Sequence, residues 1–123
     1  MLNNFGGRLG LHGHLDNLAN NIPKVFNETK YIAGIGITPE ASVNNPVLYD
    51  FLFETIWQDD ASQKMEVIDL DTWLDDYATR RYGAESESAN QAWDILKETV
   101  YKASLNGLGQ GAPESVVNAR PNL

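Results

Sequence analysis

Residues 31–40 read YIAGIGITPE, a short apolar run, rich in β-branched residues, spaced by glycines and closed by Thr38-Pro39-Glu40. Tyr31–Ile37 has the length and composition of a buried strand. By the two-residue period of a strand, Ala33, Ile35 and Ile37 share one face and can pack a core. Gly34 and Gly36 share the other, leaving room for something to approach the backbone. Glu40 follows at the C-terminal end, where parallel α/β architectures place their reactive groups. Two roles fit Glu40 at this point: a catalytic carboxylate, or a solvated loop carboxylate near a helix start, where the helix dipole favours negative charge.

Upstream, Leu11, Leu15, Leu18, Ala19 and Ile22 recur at three and four residues, predicting a helix from Leu11 to about Phe26, with Gly13 and Pro23 as imperfections. Before it, Met1–Phe5 reads as the end of something extended, broken by Gly6, Gly7 and Gly10. A helix joining two extended segments is a βαβ unit, which normally belongs to a larger parallel sheet. Two strands do not make such a sheet. Either the chain rearranges into a helical cluster, or it belongs to something bigger.

Downstream the pattern is helical. Asn45 is an N-cap with Pro46 at the first helical position, followed by an apolar face of Val47, Leu48, Phe51, Leu52, Thr55 and Ile56 that ends near Trp57. Past Asp59-Asp60 the character changes. Asp69 caps a helix carrying Leu70, Trp73, Leu74, Tyr77 and Ala78 on one face, with Gly83 as its stop. Ser86 or Ser88 caps the next, whose stripe is Ala89, Ala92, Trp93, Leu96, Val100 and Ala103, with Gly107 as its stop. Residues 107–113, GLGQGAP, read as a flexible connector. The expected class is mostly α with one or two short strands.

The chain has 123 residues, with 42% apolar and 21% charged, which is enough for one ordinary core and argues against disorder. Its net charge of −8 disfavours nucleic acid and anionic lipid as partners. It contains no cysteine, which rules out disulfides and thiolate metal sites within these residues. No apolar run approaches the roughly 18 residues of a membrane span. The opening MLNNFGGRLG lacks both parts of a signal peptide, so an export signal is expected elsewhere if the parent protein is exported.

Other residues invite chemistry. His12 and His14 with Asp16 raise the question of a metal, but two alternating histidines in a helix diverge, and a closed site needs three or four ligands. A surface role is the reading adopted, and no metal or cofactor is expected. Asn3-Asn4-Phe5-Gly6-Gly7 fits an ordinary turn, although an amide at a strand end can bond a sugar hydroxyl. Trp57, Trp73 and Trp93 lie on apolar stripes and are read as core. Arg80-Arg81 complements a helix C-terminus, which accounts for the pair without a bound anion. Asn27-Glu28-Thr29 matches the N-glycosylation pattern.

MLNNFGGRLGLHGHLDN, GIGITPE, NNPVLYDFLFETIW, DTWLDDYATRRYG, AWDILKETVY and the closing ARPNL together resemble glycoside hydrolase family 89, the α-N-acetylglucosaminidases, in family order and at similar spacing. The resemblance implies a fragment of a (β/α)8-type barrel in residues 1–58, running into the start of an all-α domain in 59–123. It implies a retaining exo-hydrolase of terminal α-linked N-acetylglucosamine, with Glu40 as nucleophile and Asn4 as a sugar contact. The family's acid/base glutamate lies on an earlier strand that nothing in this chain matches, so the chain alone is expected to be inactive. Its partners would then be the glycan and the remainder of the enzyme, with a homo-oligomer expected through an exposed strand edge. A secreted, periplasmic or lysosomal setting would follow from the family. The family often has His before the Asn of Asn-Phe-Gly-Gly; Asn3 stands there instead. Met1 falls on an internal family methionine, which points to a truncation, a partial reading frame or a split gene. The competing reading is a non-catalytic helical interaction module.

Overall fold

Gly13 and His14 turn the chain into its first helix through positive φ angles of 149° and 51°. A computed structural model describes residues 2–3, 13–39, 45–57 and 64–102. Its elements in order are β1 (Leu2–Asn3), α1 (Leu15–Glu28), β2 (Thr38–Pro39), α2 (Pro46–Thr55), α3 (Leu70–Tyr82) and α4 (Glu87–Glu98). The first intrahelical bond of α1 runs from Leu18 N–H to the His14 carbonyl, so the helix starts four residues after the predicted Leu11. The left-handed backbone at His14 explains the delay. Leu15, Ala19, Ile22 and Pro23 form the buried face, and the helix continues past Pro23 to Glu28.

β1 and β2 pair in parallel, Leu2 with Thr38 and Asn3 with Pro39. The β–α–β order predicted from sequence is therefore present. The predicted buried strand over Tyr31–Ile37 is not: the strand begins only at Thr38. Tyr31 is 94% exposed. Ala33 is exposed as well, while Ile35 and Ile37 are half-buried. A parallel strand is held by neighbours on its edges and by helices on both faces. The only strand described beside β2 is two residues long, and apolar β-branched composition cannot replace the missing partners.

α2 follows as predicted, with Pro46 in its first turn and Asn45 at the N-cap position. Asn45 is fully buried but does not make the expected side-chain capping bond. Val47, Leu48, Tyr49, Phe51, Leu52 and Thr55 are all buried, so α2 is enclosed on most sides, as its composition requires. The Thr55 hydroxyl satisfies itself by donating to the Phe51 carbonyl at 2.7 Å. Trp57, predicted to be core, is 81% exposed. It sits in the turn after α2, where its N–H bonds the Glu54 carbonyl and its ring leaves the helical stripe.

α3 matches its sequence signals closely. The Asp69 carboxylate accepts from the N–H groups of Asp71 and Thr72, and Gly83 ends the helix at φ 80° with its N–H on the Thr79 carbonyl. Leu70, Trp73, Leu74, Tyr77 and Ala78 are buried. In α4, capped by Ser86, only Trp93 is fully enclosed; Ala89 and Leu96 are partly buried and Ala92 faces solvent, against expectation. The predicted continuation to Gly107 also fails, because the helix ends at Glu98. The Thr99 hydroxyl bonds the Ile95 carbonyl, and Tyr101 N–H closes a wider turn onto Leu96, which carries the Tyr101 ring into the core.

One apolar cluster joins these elements: Leu15 and Ala19 of α1, Val47, Leu48, Tyr49 and Phe51 of α2, five residues of α3, Trp93 and Tyr101. At its centre the rings of Phe51, Trp73, Tyr77 and Trp93 touch in sequence, with centroids 4.9, 5.1 and 5.2 Å apart, alternately edge-on, stacked and edge-on. Each contact adds roughly 0.5–1.5 kcal/mol to the burial of the rings themselves.

Candidate active site

The parallel register ends on Asn3 and Pro39. The next residues in the chain are Asn4 and Glu40. Both lie outside the described residues, as do His12 and the closing ARPNL. The geometry available is that of the two strand ends leading to them: adjacent, parallel and in register. Such ends open on the same side of a sheet, which is where α/β folds gather side chains from separate strands. His14 occupies the N-cap of α1 and makes no capping bond through its side chain. Among the described residues no group of three or more His, Cys, Asp or Glu converges as a metal site would require.

Two cavities border these elements. One, of about 360 Å³, is a groove between α1, residues 32–36 and α2, lined by Ile22, Val25, Phe26, Ile32, Ile35 and Leu52 with the backbone of Gly34 and Gly36. A side chain added at Gly34 or Gly36 would meet nothing within 4 Å, so the open glycine face expected from the strand pattern exists although the strand does not. The groove is apolar and holds no acid or base. The other, of about 190 Å³, lies between α2 and α3 and is lined by Asp50, Glu54, Tyr77, Arg80 and Arg81.

In this second cavity the Arg80-Arg81 pair does more than answer a helix dipole. Arg80 donates to both Glu54 oxygens at 3.0 and 3.2 Å and lies 5.8 Å over the Trp73 ring. Arg81 donates to the Tyr77 hydroxyl at 3.2 Å. Burial pushes the Tyr77 phenol upward, with Arg81 opposing it. Sequence reading did not single out Glu54. Its partners are 19 and 26 residues away on another helix, and no local pattern carries that information. Asn27 likewise has a role that its glycosylation pattern hides. Its side-chain amide donates to the Met65 carbonyl at 2.8 Å and accepts from Met65 N–H at 2.9 Å, tying the end of α1 to the segment before α3.

Comparison with known proteins places the whole. Residues 1–59 match the family model of the α-N-acetylglucosaminidase TIM-barrel domain, and residues 73–123 match that of the C-terminal domain. The chain belongs to the α-N-acetylglucosaminidase family. It is 34% identical over 125 residues to the alpha-N-acetylglucosaminidase of Homo sapiens, an alignment covering all of this chain and 16% of the human protein. It also superposes, with a TM-score of 0.75 and 42% identity, on a family 89 glycoside hydrolase from Clostridium perfringens solved in complex with 2-acetamido-1,2-dideoxynojirmycin. That likeness covers 99% of this chain and 13% of the bacterial one. The chain thus spans a small share of its relatives. It is mostly helical, with a barrel-derived β–α–β–α segment continuing into helices of the C-terminal domain class.

Proposed function

We propose that this chain contributes the nucleophile of a retaining exo-α-N-acetylglucosaminidase, and that Glu40 is that nucleophile. The observation that carries the reading is the parallel register of Leu2–Asn3 with Thr38–Pro39, because Asn4 and Glu40 are the next residues along those two strands. In this reading residues 1–58 are the last strand–helix units of the barrel and 59–123 open the helical domain. The Glu40 carboxylate attacks the anomeric carbon as a second glutamate protonates the departing glycosidic oxygen. A glycosyl-enzyme ester forms, and water, deprotonated by that second glutamate, then releases N-acetylglucosamine with retention. Asn4 bonds a hydroxyl of the bound sugar from the neighbouring strand end. The two carboxyls must stand about 5–5.5 Å apart. The second glutamate belongs to a strand that this sequence does not resemble, so the chain by itself is inactive.

The substrate in this reading is a glycan ending in α-linked N-acetylglucosamine, the partner is the remainder of the barrel, and the setting is secreted, periplasmic or lysosomal. The self-association expected through a strand edge loses that edge, because residues 31–37 form no strand; what remains in this reading is association through the exposed run that carries the outward-facing Tyr31. Light scattering that finds only monomer removes that part. No helix among the described residues is long and apolar enough to cross a membrane.

The test is hydrolysis of a chromogenic α-N-acetylglucosaminide. The 123-residue chain releases no chromophore, and a chain extended by the remaining strands does. In the extended chain Glu40→Gln lowers turnover by about 10⁴-fold or more. Glu40→Ala regains turnover with azide, which attacks in place of the carboxylate and gives the β-azide. Wild-type turnover in Glu40→Gln refutes the assignment. Turnover by the 123-residue chain, lost in Glu40→Gln, means that a second carboxylate within these residues completes the site.

A further inference from the structure

Glu54 stands at the end of α2 and spends its whole carboxylate on α3. Trp73 Nε1–H donates to Oε2 at 2.6 Å, and Arg80 donates to both oxygens. Arg80 in turn covers the Trp73 ring, closing a triangle of three side chains. Trp73 is 7% exposed, and an indole N–H so enclosed needs an acceptor. An ionised carboxylate serves best, because it can take the indole donor and a guanidinium together. One turn earlier on α2, the Phe51 ring stands nearly perpendicular to the same indole, with centroids 4.9 Å apart. The ion pair alone, about half-exposed at both ends, would hold little. The indole bond gives the contact its direction.

The location gives the triangle its meaning. Glu54 lies within the residues matching the barrel domain, whereas Trp73 and Arg80 lie within those matching the C-terminal domain. We propose that Glu54 is a positioning residue: it locks α2, the helix that follows Glu40 in the chain, onto α3, so that the barrel segment and the helical region keep one relative placement. The consequence for catalysis rests on the reading of Glu40 given above; the lock itself does not. The Asn27–Met65 tie supports the same arrangement by pinning the segment before α3 to α1.

The three tryptophans provide the test, read as indole N–H resonances of the ¹⁵N-labelled 123-residue chain. Trp93 packs on Tyr77 and is the control; exposed Trp57 is the free reference. In Glu54→Gln, which keeps the shape and removes the charge, the Trp73 N–H moves upfield and exchanges about tenfold faster, while Trp93 stays in place. An unchanged Trp73 signal, or equal shifts in Trp73 and Trp93, overturns the proposal. A double-mutant cycle in urea covers the case in which the signals of Glu54→Gln are too broad to read. In a Trp73→Phe background the Glu54→Gln loss shrinks, and strictly additive losses overturn the lock. None of these readouts involves hydrolysis, so failure of the Glu40 assignment leaves them standing and the reverse also holds.

Discussion

A Cβ added at Gly13 would fall 2.0 Å from Cδ1 of Leu48, a side chain with no exposed surface in the middle of the core. Its φ of 149° is also one that side-chain-bearing residues rarely adopt. Gly13→Ala is therefore expected to cost at least about 2 kcal/mol, combining overpacking and backbone strain, visible as a lower urea midpoint at unchanged slope. From sequence this glycine looked like a flaw in a helix; in the structure it is the close approach of α1's entry to α2. Asn27 was legible only as a glycosylation pattern, since its real partner, the Met65 backbone, is 38 residues away. Asn27→Asp keeps the acceptor and loses the donor. At this exposed site it should cost about 0.5–1 kcal/mol; a stability equal to wild type would show that the tie contributes nothing. The position of Glu40 after a glycine-spaced run left two roles open, catalytic or solvated, and Asn4 is singled out by the family resemblance alone; both roles belong to the proposal above.

Among the elements, α3 was the most readable because its signals are local and agree with one another. The Asp69 cap, the buried stripe and the left-handed Gly83 all lie within a turn or two of the backbone groups they serve. Asp69→Ala should cost about 1 kcal/mol by orphaning the N–H groups of Asp71 and Thr72. Gly83→Ala should cost about 1–2 kcal/mol through its left-handed φ. Circular dichroism with denaturant melts checks both, and neither change should alter the urea slope. α4 was read too long. Its stripe continues in sequence through Val100 and Ala103, but burying Tyr101 ends the helix at Glu98. The Tyr31–Ile37 run failed for the opposite reason. Its composition is that of a strand, but a strand forms between partners, and composition does not supply them.

Across the whole molecule, ionisable groups tie the helices together, and three of them set an alkaline limit. Burial pushes the Tyr101 phenol up to about 12. Burial likewise raises Tyr77. The hydrogen bond from Lys97 to Asp71 raises the Lys97 ammonium and joins α4 to α3. A folded pKa above the unfolded one means that the folded state holds its proton longer. The associated stability is complete below the ordinary values of 10.0 for tyrosine and 10.5 for lysine, and drains away as pH rises through the folded ones. Urea midpoints should therefore hold level from about pH 8 to 9 and fall between about pH 10 and 12, by less in Tyr101→Phe; a midpoint flat to pH 12 would contradict this. At this scale the division between sequence and structure is clearest. The Asp69 cap, the Gly83 stop and the buried stripe of α3 were determined by the sequence alone, because each depends on residues within a few turns of one another. The tertiary structure alone decided that Trp57 faces solvent while Tyr101 is enclosed, that residues 31–37 form no strand, and that Glu54 reaches Trp73 and Arg80. Those outcomes turn on which surfaces meet across long loops, and burial and hydrogen bonding between distant residues leave no periodic trace in the chain.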